Sequence, residues 1–365
     1  MKDISSLMGY REDVRVVDAT LRDGGLVNSF DFSDDFARAL YQTNVAAGVD
    51  YMEIGYKADK KLFDPQKFDV RMALPGGTVS AGLGKLSNIA KNFNAVAAVN
   101  GGYFDWSGTF LIGDVRINGA TAAMIAESRS GLIKKHNGSY DIGQASYSGA
   151  ITLNGQTISF WGVNAPRGKD AIILYNRLYG NRTGTNEFGK EFVISRGCVQ
   201  AINQGNSEIP ADGVVVSVHG QSQEYFAGVK VGDRAEISES LGDEIADDVD
   251  FYGAGPQLVK NGRVSVTSYE EGIASDIASG RAPRTAVGIK ENGHVIMMVV
   301  DGRQSHSIGA TLSETAQLLI KYGATRGVNF DGGGSSEMVL KNRVVNSPSG
   351  GAERRIGNAL IVVRK

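Results

Sequence analysis

The stretch Asn329-Phe330-Asp331-Gly332-Gly333-Gly334-Ser335-Ser336-Glu337 stands between a short apolar approach and the apolar run Met338-Val339-Leu340. That order reads as strand, abrupt glycine-rich turn, strand. Consecutive glycines cost backbone entropy on folding, so a chain carries them where the backbone takes positive φ or where another group must come close. Successive amides in such a turn can form a concave anion nest. Here an acid precedes the nest and two hydroxyls follow it. The stretch alone leaves two readings open: a phosphate or sugar-phosphate site, or a tight turn capped by a solvated aspartate.

Working outward, the approach strand, Gly327 to Phe330, follows a helix announced by Thr311-Leu312-Ser313-Glu314, a capping box. That helix points Leu312, Ala316, Leu318 and Leu319 toward a core and ends at Tyr322-Gly323. Before it, Arg284 to Lys290 and His294 to Val300 pattern as a hairpin that ends in Asp301-Gly302-Arg303. Asn358 to Val363 is a closing apolar strand. In the middle of the chain, Asn-Gly pairs at Asn118, Asn137, Asn154, Asn261 and Asn292 mark hairpin turns. Two of those hairpins are Ala150 to Leu153 with Thr157 to Phe160, and the one opening at Pro256. Phe68 to Leu74 is a strand candidate, and Ala95 to Val99 is a buried strand that ends in Asn100-Gly101-Gly102. About 164–240 reads as a subdomain. Strands dominate and helices are few, so the expected class is α+β with strand-rich mixed sheets.

The chain has 365 residues, with 38 Lys+Arg against 40 Asp+Glu. With no basic excess, a nucleic-acid partner is not expected. No apolar run reaches the length of a membrane helix, so no membrane span is expected. The 48 glycines follow no period, which suggests turns between strands. Cys198 is the single cysteine, excluding an intrachain disulfide and any cysteine-rich metal site. Met1 to Arg11 has mixed charge and no apolar core, so no secretory signal is expected and the chain as given reads as cytoplasmic.

At the start, Asp13 to Ala19, a helix from a Ser33 cap to Ala47, and Val49 to Gly55 form a βαβ pattern. Val16 to Gly25 and Tyr51 to Tyr56 resemble the opening of the DRE-TIM metallolyases. That resemblance implies an enolate-steadying role for Arg22 and a metal-ligand role for Asp23. The further βα repeats of a barrel do not follow, and His136, His219, His294 and His306 are isolated. Residues 1–61 therefore read as a non-catalytic fragment ahead of a domain over 62–365. Tyr51 to Tyr56 is expected to pair with Phe68 to Leu74 as the opening hairpin of that domain.

Several polar groups fall at strand ends, where a sheet presents chemistry. Arg284 and Arg355 are the candidate guanidinium partners for phosphate, which a planar fork fits better than a lysine does. Taken in order, Ala97 to Phe104, Gly253 to Leu258, Arg284 to Gly288, Val300 to Arg303, Asn329 to Ser336 and Val345 to Pro348 resemble the phosphodiester glycosidase family. The likeness covers about 62–365. It implies hydrolysis of a glycosyl-1-phosphodiester, with a small-molecule or glycan phosphodiester as the partner.

Under that resemblance the Gly332, Gly333, Gly334 and Ser335 amides, with the Ser335 and Ser336 hydroxyls, hold phosphate. Arg284 neutralises its charge, and Asp331 is the general acid/base or water-positioning group. Asn100, with the Gly101 and Gly102 backbone, orients substrate. Thr285, Asn346 and Arg355 complete the binding set, and Asp301 and Glu337 are reserve carboxylates. Asp331 could instead ligate a divalent cation, Ca²⁺ or Mg²⁺; no organic cofactor is expected. The family is mostly exported, unlike the reading of the N-terminus. The alternative is a non-catalytic glycan- or sugar-phosphate-binding module, which has no need of Asp331.

Overall fold

The structure, a computed structural model, describes residues 58–365 apart from 109, 125–127, 244, 247 and 248; before them it describes only 17–18, 39–40, 42–43, 46 and 51–52. The hairpin expected from the sequence forms, with Arg284–Lys290 antiparallel to Val295–Val300 and Arg284 opposite Val300. Every residue of Val295–Val300 is buried. Side chains alternate across a strand, so Val295, Met297 and Val299 enter one core while Ile296, Met298 and Val300 enter another. A strand buried on both faces accounts for the unbroken apolar run in the sequence.

These strands belong to a six-stranded sheet ordered Arg263–Val264, Gln257–Lys260, Ala324–Asn329, Arg284–Lys290, Val295–Val300, Ala58–Phe63. A five-stranded sheet, ordered Arg343–Val344, Met338–Leu340, Ala97–Asn100, Ala359–Arg364, Phe68–Ala73, shares its inner core through Val70, Met72, Val99, Met338 and Leu360. Each sheet carries a helix on its other face. Leu312–Lys321 starts at the expected capping box, where the Glu314 amide donates to Thr311 Oγ1 and the Thr311 amide donates to the Glu314 carboxylate. Its buried Leu312, Ala316 and Leu319 pack on Ala286, Ile296 and Met298. Leu86–Asn92 covers the five-stranded sheet with Leu86, Ile89 and Ala90. The layering is helix, sheet, sheet, helix, and the class is α+β with many strands and few helices.

A third sheet contributes Leu132 and Tyr252 to the shared core and turns Ile133 and Phe251 toward a second core. Strands of 148–240 complete that second core. Within them, Gly162–Val163, Ile172–Tyr175, Gly213–His219, Gly189–Ser195 and Cys198–Asn203 form a five-stranded sheet of their own. Glu191 is fully buried in this sheet. Its carboxylate accepts from Thr183 Oγ1, Thr185 Oγ1, the Ser207 amide and Ser217 Oγ.

The start of the domain is wired differently from the sequence reading. Phe68–Ala73 pairs with Ala359–Arg364, not with the Tyr51 region. Tyr51–Met52 pairs in parallel with Val17–Asp18, and Ala58–Phe63 takes the edge beside Val295–Val300. The turn at 64–67 crosses from one sheet to the other, with Phe63 and Phe68 in edge-to-face contact at 5.8 Å between ring centroids. Local hairpin logic assigns neighbours in sequence to one sheet; here the two strands join different layers, each paired with a partner far away in the chain. Arg22 and Asp23 lie outside the described residues.

Burial alone would raise the Glu191 carboxyl, but hydrogen bonds from Thr185, Ser207 and Thr183 outweigh it and hold the group below the usual glutamate value. A folded-state value below the unfolded one stabilises above the unfolded value and loses that contribution as pH falls through the folded one. Glu191→Gln is therefore expected to lower the melting temperature at pH 7, with a deficit that shrinks as pH drops below about 4. Thermal melts of both proteins across that range check it.

Candidate active site

The strands Ala97–Asn100, Val295–Val300 and Ala324–Asn329 deliver Asn100, Asp301 and Asp331 where the two inner sheets meet. Asn100 is buried and fully engaged. Its Nδ2 donates to the Asp331 carbonyl at 2.6 Å, and its Oδ1 accepts from Thr285 Oγ1 at 2.6 Å and from the Glu337 amide at 3.2 Å. Asn100 and Thr285 thus use their polar groups on each other and on the backbone; they join the sheets and do not face the cavity. Gly101 and Gly102 serve close approach in the same way. A Cβ on Gly101 would lie 1.7 Å from Asn358 Oδ1, and one on Gly102 would lie 2.3 Å from the Gly253 carbonyl.

Beside this tie opens a cavity of about 350 Å³, lined by Tyr103, Trp106, Asp276, Arg284, Arg303, Asp331, Gly332 to Ser335, and Arg354, among others. Arg284 is nearly inaccessible, at 2% exposure. Its Nε donates to the Ala310 carbonyl and its Nη2 to the Ile277 and Gly280 carbonyls, leaving Nη1 outside these bonds. Desolvation lowers its pKa from the usual arginine value, yet the group stays a cation, since arginine is protonated throughout the working range. Among the described residues, no ion pair within 4.0 Å engages Arg284, Arg303 or Arg354. Three guanidinium groups on one cavity, none within ion-pair distance of a described carboxylate, suit an anionic ligand.

Asp331 is half-buried at the base of the glycine turn, and its Oδ1 accepts from the Gly332 amide at 2.9 Å. Burial pushes its carboxyl up to about 6, while Ser335, the Gly332 amide and Arg354 pull the other way. The turn itself departs from the nest reading. The Gly332 amide is taken by Asp331 and the Gly333 amide by the Pro283 carbonyl. The Ser335 and Ser336 amides close onto Gly332 and Gly333 as a short 3₁₀ turn, Gly333–Ser335. The glycines are needed for space instead. Gly333 has φ of 61°. A Cβ on Gly334 would lie 2.3 Å from Arg354 Nη2, and one on Gly333 would lie 3.3 Å from Arg303 Nη1.

The other expected residues sit elsewhere. Asp301 does not line the cavity: its carboxylate accepts from Asn346 Nδ2 at 2.9 Å and from the Ser347 amide at 3.0 Å. Asn346 also donates to the Ser336 carbonyl and accepts from the Met338 amide, so this pair braces the turn from outside. Ser336 is buried and off the cavity wall, whereas Ser335 is on it. Glu337 is fully buried; its Oε1 accepts the Arg354 amide at 2.6 Å, and burial pushes its carboxyl up to about 7. Arg355 points away, donating to the Leu83 carbonyl, and its neighbour Arg354 reaches the cavity.

Arg303, Arg354, Trp106, Tyr103 and Asp276 are the polar or aromatic-face cavity residues, beside Phe104, to which sequence reasoning gave no role. For Arg354 a signal existed. Ile356 is buried and Arg355, its partner in the two-residue strand Arg355–Ile356, is exposed, so of the two arginines Arg354 is the one left to turn inward. For Trp106, on the loop after Phe104, nothing in the local sequence marks a site. Among the described residues no cluster of three or more His, Cys, Asp or Glu side chains is arranged to hold a metal ion.

Residues 188–363 match the family described as phosphodiester glycosidase. Over 80 residues the chain is 32% identical to the SPbeta prophage-derived uncharacterized protein YomE of Bacillus subtilis (strain 168), covering 22% of this chain and 12% of that one. Over 101 residues it is 30% identical to human N-acetylglucosamine-1-phosphodiester alpha-N-acetylglucosaminidase, covering 25% of this chain and 19% of that one. The matches thus span less than a fifth of these curated relatives. Among solved structures, a hypothetical protein from Synechocystis is similar at a TM-score of 0.74 and 25% identity, covering 85% of this chain and 59% of that one. A putative exported protein from Burkholderia pseudomallei K96243 shares the fold at 0.71 and 24% identity, covering 84% and 74%. No described helix is long and apolar enough to cross a membrane.

Two expectations follow from this geometry. Arg354→Ala weakens binding of inorganic phosphate about tenfold or more, as loss of a charge-assisted contact requires, while Arg355→Ala leaves it unchanged; calorimetric titration reads both. A carboxyl whose folded value is raised costs stability once ionised. Asp331→Asn therefore raises the melting temperature above pH 6, and the gain disappears below about pH 4, where both states are neutral.

Proposed function

We propose that the cavity hydrolyses a glycosyl-1-phosphodiester at the sugar C1–O bond, a reading that starts from the match of residues 188–363 to the family described as phosphodiester glycosidase. One observation carries this reading: Asp331 and the guanidinium groups of Arg284, Arg303 and Arg354 line the same cavity. The guanidinium groups take the phosphate oxygens, where a planar fork matches the tetrahedral anion. As the C1–O bond lengthens, its electron pair moves onto the phosphate. Cations fixed there in advance stabilise that developing charge more than they stabilise the ground state.

Water attacks C1 while Asp331, ionised above about pH 6, accepts its proton. The new C1–OH bond gives the free sugar, and the phosphate leaves as a monoester. A phosphomonoester leaves without strong protonation, so one carboxylate suffices where most glycosidases need two. Glu337 supports this indirectly, by fixing the Arg354 backbone.

Hydrolysis of a panel of glycosyl-1-phosphodiesters in ¹⁸O-water tests the proposal. Label is expected in the sugar; label in the phosphate means P–O cleavage and overturns the mechanism. Asp331→Asn is expected to lower kcat by about 10²–10⁴-fold while keeping phosphate affinity. In the wild type kcat/KM falls as pH drops below about 6 and the carboxylate takes up a proton; that limb is missing in the variant. Running the panel with and without chelator reads whether a divalent cation acts beside Asp331. Phosphate binding without turnover on any substrate means a binding module.

A further inference from the structure

Trp106 is 75% exposed, among the most exposed large apolar side chains described. It sits in a loop whose Asx turn, with the Ser107 amide donating to Asp105 Oδ2 at 2.9 Å, follows Phe104. Phe104 flanks the indole at 6.3 Å between ring centroids. Over the indole lies Arg354, its Cζ 4.9 Å from the ring centroid. Arg354 is held from two other directions. Its backbone amide is fixed by the buried Glu337 carboxylate, and its guanidinium passes the α-carbon of Gly334 with no room for a Cβ.

What holds an anion-binding arginine matters. A carboxylate would hold Arg354 in place but neutralise the charge needed for ligand. An aromatic face attracts a cation through its quadrupole and adds no opposing charge. We propose that Trp106 is a positioning residue for phosphate binding: its indole face keeps the Arg354 guanidinium ordered and unneutralised at the cavity. The inference rests on the reading of this cavity as a phosphate site and adds the residue that prepares it. Trp106 acts through Arg354 and need not touch the ligand.

The test is a double-mutant cycle on inorganic phosphate affinity, with Trp106→Leu, Trp106→Phe, Arg354→Ala and the Trp106→Leu/Arg354→Ala pair. Leucine keeps apolar bulk and removes the quadrupole; phenylalanine keeps a smaller one. Trp106→Leu is expected to weaken phosphate binding about threefold to tenfold, the span of a partly exposed cation–π contact. Trp106→Phe recovers most of that loss. The double variant binds no more weakly than Arg354→Ala alone, because the tryptophan then has nothing to position.

The protein has two tryptophans, and Trp161 does not line the cavity. Trp161→Phe therefore leaves Trp106 emission as a direct reporter, expected to change as phosphate draws on Arg354. Wild-type affinity in Trp106→Leu, or losses that multiply in the double variant, overturns the inference. If Arg354→Ala weakens phosphate and Trp106→Leu does not, only the role of Trp106 fails. If Arg354→Ala binds phosphate as the wild type does, the phosphate-site reading fails with it.

Discussion

The site depends on one carboxamide. Asn100 comes from the five-stranded sheet, and its partners Thr285 and Asp331 come from the six-stranded sheet or the turn that leaves it. Its third partner, the Glu337 amide, lies just past the glycine turn. Every polar atom of the side chain is therefore committed to holding two sheets and one turn in register. Removing the group would strand a buried hydroxyl, an amide and a carbonyl, each costing about 1–3 kcal/mol. The same bonds fix where Asp331 stands relative to Arg284, which leaves the strand beside Thr285. Layer packing and site geometry are thus one constraint, placed where a rigid scaffold can hold chemistry.

Around that tie the positive charge comes from side chains instead of backbone amides. A nest of amides would have left the turn underbonded until ligand arrived; instead those of Gly332, Gly333, Ser335 and Ser336 are satisfied within the protein. What the glycines supply is absence of bulk, letting Arg303 and Arg354 pass close to the turn. The cost of gathering cations falls on other groups. Arg284 is desolvated and donates to backbone carbonyls, and burial raises the Asp331 carboxyl to about 6. Buried charge of this kind is the usual trade of stability for function at a binding site.

Much of this was legible in the sequence. The Arg284 hairpin, the Thr311 capping box and the turn at Asp331 are local patterns, and the structure reproduces each. Asp331 and Arg284, which both line the cavity, each stand at the end or start of a well-patterned strand. The misses are long-range. The partner of Phe68–Ala73 is nearly the whole domain away in sequence, so no local signal could name it. Two adjacent arginines look alike in the sequence, and only the fold turns Arg354 to the cavity and Arg355 to the Leu83 carbonyl. Asn100 and Thr285 were read as facing substrate; a polar residue at a strand end looks the same whether it meets a ligand or another strand. Trp106 was invisible because its significance arises from Arg354, some 250 positions away in the chain.

The most direct measurement is a crystal structure of Asp331→Asn soaked with a glycosyl-1-phosphodiester. The account predicts the phosphate within hydrogen-bond distance of Arg284, Arg303 and Arg354, with the sugar C1 facing residue 331. A phosphate seated elsewhere, such as the separate groove lined by Arg71, Lys134 and Arg364, with the cavity at Asp331 empty, would contradict it.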